Sequence, residues 1–259
     1  MDRFSNKQRS SGVLLHISSL PGPYGIGEIG NEAKAFVNDL ATMNQQYWQI
    51  LPTNYPERHN SPYDTNSAFA QNPFLISLDG LIEDGLLCES DLEPIPEFKN
   101  GRVEFEKLKK WKQILLRKAA TNFSSADNND IIEYHEFCKE QGFWLNGYAI
   151  FMVLKGMQGQ TDWSYWELKY RKFNKNILAD IESIKKNEIE EIKILQYLFH
   201  KQWKALKTFA NDKGIKLIGD IPIYISFNSA DVWTNQELFK LDKNCKMHCQ
   251  SGVPPDHFM

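Results

Sequence analysis

The sequence predicts an α/β protein built around a parallel sheet. Its first 80 residues read as strand, helix and strand, residues 80–210 read as mostly helical, and a further strand follows near residue 215. Strands that alternate with helices are typical of parallel sheets. Two architectures stay open on this evidence, an open doubly wound sheet and part of a (β/α)8 barrel. Both collect their chemistry at the carboxyl ends of the strands.

The N-terminal region contains two short apolar runs separated by an amphipathic helix. Residues 13–17 (VLLHI) have the length and apolarity of a buried parallel strand, and residues 47–51 (YWQIL) form a second run that Pro52 stops. Between them, Asn31 is predicted to cap a helix. Apolar residues recur at helical spacing on one face of that helix: Ala33, Phe36, Val37, Leu40 and Met43.

After the second strand the pattern becomes mostly helical. Residues 74–78 (FLISL) predict one more extended segment, and residues 107–120 predict an amphipathic helix. Residues 132–155 are rich in aromatic side chains and predict two helices around Gly142 and Gly147. These elements precede the last strand of the chain.

A long apolar stripe comes next and predicts a helix packed on the core. Its members follow the helical spacing: Ile192, Leu195, Phe199, Trp203, Leu206 and Phe209. Gly214 is predicted to end this helix, because glycine is the usual residue just beyond a helix C-terminus. Residues 215–218 (IKLI) then predict a strand.

The composition is that of an ordinary globular protein, with 42% hydrophobic and 24% charged residues. The net charge of -3 and the lack of a basic stripe predict no nucleic-acid or membrane partner. No apolar run approaches the ~18–20 residues that span a bilayer, and the polar start lacks the apolar core of a signal peptide. The four cysteines show no disulfide-rich pattern, which predicts a reducing cytoplasm.

A literal G-x-G-x-x-G occurs at Gly25, Gly27 and Gly30. In dinucleotide-binding enzymes the first glycine directly follows the strand, so that the helix N-terminus meets the pyrophosphate. Here the stretch SSLPGPY, whose prolines have no N–H to offer a phosphate, separates the strand from Gly25. We therefore predict a rigid loop whose glycines permit positive φ or close backbone approach, and no cofactor.

Two cysteines near the C-terminus raise the question of a metal site. Cys245 and Cys249 flank His248 in LDKNCKMHC, and His257 lies beyond. A metal site needs three or four compactly arranged ligands. The stretch reads more simply as a polar turn followed by an extended segment with half-buried or solvent-facing thiols, so we predict no metal.

Polar residues follow the predicted strands at positions suited to a binding site. Asp220 follows the last strand, where a carboxylate is costly unless it is paired or hydrogen-bonded. It could equally be a structural acceptor. The stretch SPYDTNSAF (61–69) combines short polar groups with the flat rings of Tyr63 and Phe69, a mixture that suits hydroxyl-rich ligands such as sugars. An ordinary polar turn is the alternative. Asp256 follows two prolines in GVPPD, which either presents a loop carboxylate or forms a plain turn.

Together these stretches resemble the 4-alpha-glucanotransferases, or amylomaltases. The resemblance covers the whole chain in family order but about the first half of such an enzyme. The segments that carry it are SGVLLHISSLPGPYGIGEIG (11–30), WQILPT (48–53), SPYDTNSAFAQNPFLISL (61–78), FWLNGYAIFMVLK (143–155), QYLFHKQW (196–203), IGDIPIYISFNSADVW (218–233) and GVPPDHF (252–258).

The resemblance implies a (β/α)8 barrel with inserted helical subdomains, of which this chain holds about the N-terminal half. Residues 1–80 would form the first barrel strands and a substrate loop, 81–205 a mostly helical insertion, and 206–259 a barrel strand and the GVPPD loop. The implied reaction moves α-1,4-glucan segments between maltooligosaccharides through a covalent intermediate, with retention and a pair of carboxylates roughly 5–5.5 Å apart. It implies no cofactor.

The resemblance also implies roles for three residues. Tyr63 would line the site of the cleaved sugar, Asp220 would hydrogen-bond that sugar, and Asp256 would lie on a loop near the acceptor. The nucleophile and the acid/base carboxylate would lie beyond Met259, so we name no catalytic residue and expect the 259-residue chain alone to be inactive and poorly stable. A non-catalytic glucan-binding remnant and a nicotinamide-dependent oxidoreductase are the competing hypotheses.

Four departures from the family pattern bear on substrate preference. Asp64 stands where glutamine is usual, and Asn146-Gly147 replaces an acidic pair. The loop before SPY (PERHN) is poorer in glycine than usual, and residues 249–251 (CQS) replace small apolar residues.

Overall fold

The computed structural model describes residues 9–57, 60–125 and 127–249, with the side chain at position 175 left aside. Its strands and α-helices, in chain order, are β1 (Gly12–Leu14), α1 (Asn31–Thr42), β2 (Tyr47–Gln49), α2 (Leu78–Glu83), α3 (Phe105–Asn122), α4 (Asn128–Glu140), α5 (Gly142–Met157), α6 (Leu168–Arg171), α7 (Lys175–Asp212), β3 (Lys216–Ile218) and α8 (Ala230–Thr234). None of the helices in the described residues has the length and apolarity of a membrane span.

The described residues divide into two compact units. Unit 1 contains residues 9–53, 71–125, 127–137 and 194–221, and therefore holds all three strands. Unit 2 contains residues 54–57, 60–70, 138–193 and 222–249. The division of the chain at residues 80 and 205 stays a prediction.

The sheet of unit 1 is parallel, with the strand order β1-β2-β3. Val13, Trp48 and Leu217 are paired across it, so their side chains lie on one face. Trp48 is fully buried there, its indole N–H donates to the carbonyl of Leu15 at 2.7 Å, and its ring lies 5.0 Å from that of Phe36 on α1. The predicted parallel strand–helix–strand unit is thus confirmed.

The observed helix caps correct two of the predictions. Residues 74–78 are not extended: a 3-10 helix covers Pro73–Leu75 and α2 begins at Leu78. Asn72 accepts the N–H of Phe74 at 3.0 Å and Ser77 accepts that of Gly80 at 3.2 Å, and these caps override the apolar pattern. Asn31 does not cap α1, because Gly30 occupies the cap position and Asn31 is the first helical residue.

The glycine loop meets the backbone requirements that its sequence predicts. Gly25 has φ +77°, in the left-handed region that favours glycine. A Cβ on Gly27 would overlap the carbonyl oxygen of Ile17. The interpretation of the three-glycine pattern as a loop device is confirmed at both positions.

The predicted helices are present, with one error. Residues 107–120 lie inside α3, and the pair predicted over 132–155 corresponds to α4 and α5. Gly147 does not separate helices, since it lies within α5, where its missing side chain makes room for Thr234. Gly214 follows the end of α7 with φ +79°, as predicted.

Candidate functional site

Residues 54–57 and 60–70 of unit 2 form the two arms of a loop, with Tyr63 between Pro56 and Thr65 in sequence. Pro56 and Thr65 pair as an antiparallel bridge between the two arms of the loop. At its base the Asn54 side chain donates to the carbonyls of Ser67 at 3.2 Å and Ala70 at 3.0 Å. These contacts define the loop independently of any regular strand.

A carboxylate supports the base of this loop from α8. Asp231 accepts the N–H of Ala68 at 2.8 Å and the hydroxyl of Ser67 at 3.2 Å. Burial raises the pKa of Asp231, and the Ala68 and Ser67 donors partly oppose that shift. The predicted polar residues of SPYDTNSAF therefore serve the loop itself as well as its surface.

Tyr63 borders a cavity of about 630 Å³ that lies within unit 2. Tyr63 is 46% exposed at this wall. Aromatic rings and charged groups share the wall: Tyr224, Phe227, Phe239, Glu57, Asp64, Asp162 and Lys240. Flat apolar faces beside hydrogen-bonding groups suit a ligand with C–H faces and many hydroxyls.

A buried lysine beneath this loop was not predicted from the sequence. Lys155 of α5 pairs with the carboxylate of Glu57, and its Nζ donates to Oδ1 of Asn66 at 2.7 Å. Asn228 donates to the other oxygen of Glu57 at 2.7 Å. The sequence pattern gave no signal for this network beyond a lysine in an apolar helix.

Of the other two predicted site residues, one belongs to unit 1 and one lies outside the described residues. Asp220 follows β3 in unit 1, is half-buried, and its Oδ1 accepts the N–H of Ile221 at 2.8 Å. Asp256 lies outside the described residues. The arrangement of these carboxylates around Tyr63 therefore stays a prediction.

The C-terminal thiols take different environments. Cys245 is buried, with its Sγ 3.7 Å from Oε1 of Gln236, whereas Cys249 is exposed at the cavity wall. Within residues 9–57, 60–125 and 127–249, no group of three or more histidine, cysteine and acidic side chains could hold a metal ion.

Comparison with known proteins assigns the family. A family model described as 4-alpha-glucanotransferase matches residues 15–259. The chain belongs to the 4-alpha-glucanotransferase family. The resemblance read from the sequence motifs is thereby confirmed.

This chain matches about half of the length of individual members of the 4-alpha-glucanotransferase family. The enzyme from Aquifex aeolicus is 40% identical over 252 residues, which cover 96% of this chain and 50% of that protein. The one from Thermus thermophilus is 40% identical over 251 residues, covering 96% and 49%. The solved amylomaltase from Streptococcus agalactiae, in complex with acarbose, has a TM-score of 0.92 at 38% identity, covering 97% and 51%. The chain thus spans about half the length of these relatives.

Proposed function

We propose that this chain supplies the N-terminal, glucan-binding half of a 4-alpha-glucanotransferase acting on α-1,4-glucans. The observation that carries the proposal is the position of Tyr63. The SPY motif presents a half-exposed ring at a cavity of about 630 Å³ with aromatic and charged walls. Family membership supplies the reaction, and the cavity supplies a site suited to its sugar substrates.

We propose further that the sheet belongs to a (β/α)8 barrel. Leu14, Gln49 and Ile218 are paired across the three strands and so share the face opposite Trp48. Leu14 and Ile218 are 55% and 43% exposed on that face. Parallel sheets are normally covered on both faces, and a closed barrel covers one of them with its own interior side chains.

Tyr63, Asp220 and Asp256 are the proposed substrate-binding residues. Asp220 lies just beyond the carboxyl end of β3, the end at which barrel enzymes hold their substrates. We assign no nucleophile and no acid/base residue within this chain. Both carboxylates of the retaining reaction are proposed for the half of the relatives that this chain does not match.

Organisation and location complete the proposal. Residues 81–205 would be largely an insertion between barrel strands, and no cofactor is required by the reaction. The four cysteines are all free, which favours a reducing compartment such as the cytoplasm.

A binding experiment tests the assignment of Tyr63. Maltoheptaose is titrated into the purified chain by calorimetry, and Tyr63→Ala is expected to lower the affinity roughly tenfold, because a stacking ring is lost. Tyr165→Ala is the matched control, since Tyr165 is another exposed tyrosine of unit 2 and does not line the cavity. A folded chain that does not bind maltoheptaose, or that binds NADH instead, would overturn the proposed function.

A chimera tests the reaction and separates an enzyme half from a non-catalytic remnant. This chain is joined to the unmatched half of the Aquifex aeolicus relative and supplied with maltotriose. We expect glucose and longer maltooligosaccharides from the chimera and none from the 259-residue chain alone. Asp220→Asn in the chimera is expected to slow product formation roughly tenfold, because a charge-assisted hydrogen bond to the sugar is lost.

Two results would contradict the assignment of this reaction. Turnover by the chain alone would place the catalytic carboxylates within it. A folded chimera that binds maltoheptaose without transferring glucose units would favour the non-catalytic remnant.

A further inference from the structure

The buried ammonium of Lys155 joins the two arms of the loop that carries Tyr63. Lys155 is 4% exposed on α5. Glu57, its ion-pair partner, lies on the arm before Tyr63, and Asn66, its hydrogen-bond acceptor, lies on the arm after it. One side chain thus fixes the separation of the two arms from beneath.

The position of this charge is not explained by packing. A buried lysine is costly to desolvate, and an apolar residue would fill the same volume at less cost. The loop already has an antiparallel bridge and the Asn54 contacts to close it. The ion pair adds a geometric constraint, because both arms must approach the same Nζ atom.

The network extends into the rigid part of unit 2. Asn228 donates to Glu57 at 2.7 Å, and its own side-chain oxygen accepts the N–H of Trp163 at 3.2 Å. Trp163 is fully buried in the aromatic core of this unit. The loop is therefore anchored to core elements through side chains, which restricts its motion before any ligand arrives.

We infer that Lys155 is a positioning residue that holds Glu57 and Asn66 so that Tyr63 is pre-set at the cavity wall. If the ring is already ordered, less conformational entropy is lost when a ligand binds, and the binding free energy is more favourable. The inference rests on the proposed function in one respect, namely that Tyr63 contacts the sugar. Lys155 itself lies beneath the loop and acts through Tyr63.

Removal of the ammonium tests this role by coupling. In Lys155→Met, maltoheptaose affinity is expected to fall about tenfold, the scale of one immobilised loop contact. In a Tyr63→Ala background, the same substitution is expected to lower affinity by a clearly smaller factor, because the part of its effect that passes through Tyr63 is lost and only the change at Glu57, which also lines the cavity, remains. Equal losses in both backgrounds would overturn the inference.

Hydrogen exchange gives a readout that does not depend on sugar binding. The backbone N–H of Glu57 donates to the carbonyl of Asp64 at 2.7 Å, and the backbone N–H of Asn66 donates to the carbonyl of Tyr55 at 3.1 Å. Both hydrogen bonds join the two arms of the loop. In Lys155→Met these two amides are expected to exchange at least about tenfold faster. Unchanged exchange of the two amides in Lys155→Met would overturn the inference, whether or not the wild-type chain binds sugar. Failure of the wild-type chain to bind sugar would count against the proposed function and not against this inference.

Controls separate positioning from general destabilisation. Ile181→Ala removes a fully buried side chain from the core of unit 2 and should leave the exchange of both loop amides and the affinity of the folded protein unchanged. If Lys155→Met does not fold, Glu57→Gln with Lys155→Met removes both charges at similar volume, a replacement that is often tolerated. That double variant is expected to show the same faster exchange, and protection equal to wild type would refute the role of the ion pair.

Discussion

Lys112→Met is expected to lower the free energy of unfolding by about 3–5 kcal/mol, the cost of leaving a buried charge without its partner. Lys112 is fully buried on α3 in unit 1. Its Nζ pairs with Glu28 and donates to the carbonyls of Phe74 and Ile76, each at 2.8 Å. Methionine fills similar space but donates nothing, so a carboxylate and two carbonyls lose their donor.

The loss should depend on pH in a defined direction. Burial raises the pKa of Glu28 to about 7, opposed by Lys112 and by the N–H of Leu78, and burial lowers the pKa of Lys112. The unfolded Glu28 pKa is about 4.3, so the folded state binds the proton more tightly and stability falls as pH rises from about 4.3 to 7. Without Lys112 the folded pKa rises further. The loss in Lys112→Met is therefore expected to be larger at pH 8 than at pH 5.

Urea unfolding followed by circular dichroism measures both effects. Lys118→Met is the control, because Lys118 forms a surface pair with Asp91 and exposed pairs contribute about 0–1 kcal/mol. Glu28→Leu with Lys112→Met should recover part of the stability that Lys112→Met loses. A Lys112→Met loss below about 1 kcal/mol at pH 8, or one that grows as pH falls, would contradict the role assigned to the pair.

Local patterns predicted the parts of the fold that local physics decides. The strands predicted at 13–17 and 47–51 correspond to β1 and β2; β1 begins one residue earlier and ends three residues earlier than predicted, and β2 begins as predicted and ends two residues earlier. β1 stops at Leu14 because a 3-10 turn begins at Ile17. The spacing of apolar residues gave α1, and Gly214 marked the end of α7 through its positive φ. Such features depend on residues close together in the chain.

Partners that are distant in sequence could not be predicted. Glu28 and Lys112 lie 84 positions apart, and Lys155 and Glu57 lie 98 apart. Charged residues are mostly exposed in proteins, so nothing in the local sequence distinguishes these two lysines from the surface ones. Glu28 lies inside the glycine loop PYGIGEIG and ties that loop to α3, a contact that the glycine pattern does not indicate.

The candidate site also has a part that the sequence predicted and a part that it did not. Residue types in SPYDTNSAF indicated a sugar-type surface, and Tyr63 is indeed half-exposed at a cavity. The cavity wall beyond that motif comes from residues such as Asp162 and Lys240, which the chain pattern does not single out. Their assembly depends on the packing of α5 and α8 around an aromatic core.

Trp233→Ala is expected to lower the free energy of unfolding by about 3–5 kcal/mol, the range for truncating a large buried aromatic. Trp233 on α8 is fully buried in unit 2. Its ring centroid lies 4.9 Å from that of Phe173 and 5.9 Å from those of Phe151 and Trp166. Its indole N–H donates to the carbonyl of Tyr170 at 2.8 Å, so alanine leaves a cavity and an unpaired carbonyl together.

Two further variants divide that loss into its parts. Trp233→Phe keeps much of the ring packing and removes the indole N–H, so about 1–3 kcal/mol is expected from the unsatisfied Tyr170 carbonyl and the smaller ring. Leu168→Ala is the control, because Leu168 is 79% exposed in the same unit and its truncation should change stability by less than about 0.5 kcal/mol.

Because Asp231 on α8 also holds Ser67 and Ala68, Trp233→Ala should loosen the base of the Tyr63 loop as well. Faster hydrogen exchange at Ala68 in Trp233→Ala, with wild-type exchange in Leu168→Ala, would show that the aromatic core supports the Tyr63 loop, and equal exchange in both would show that it does not.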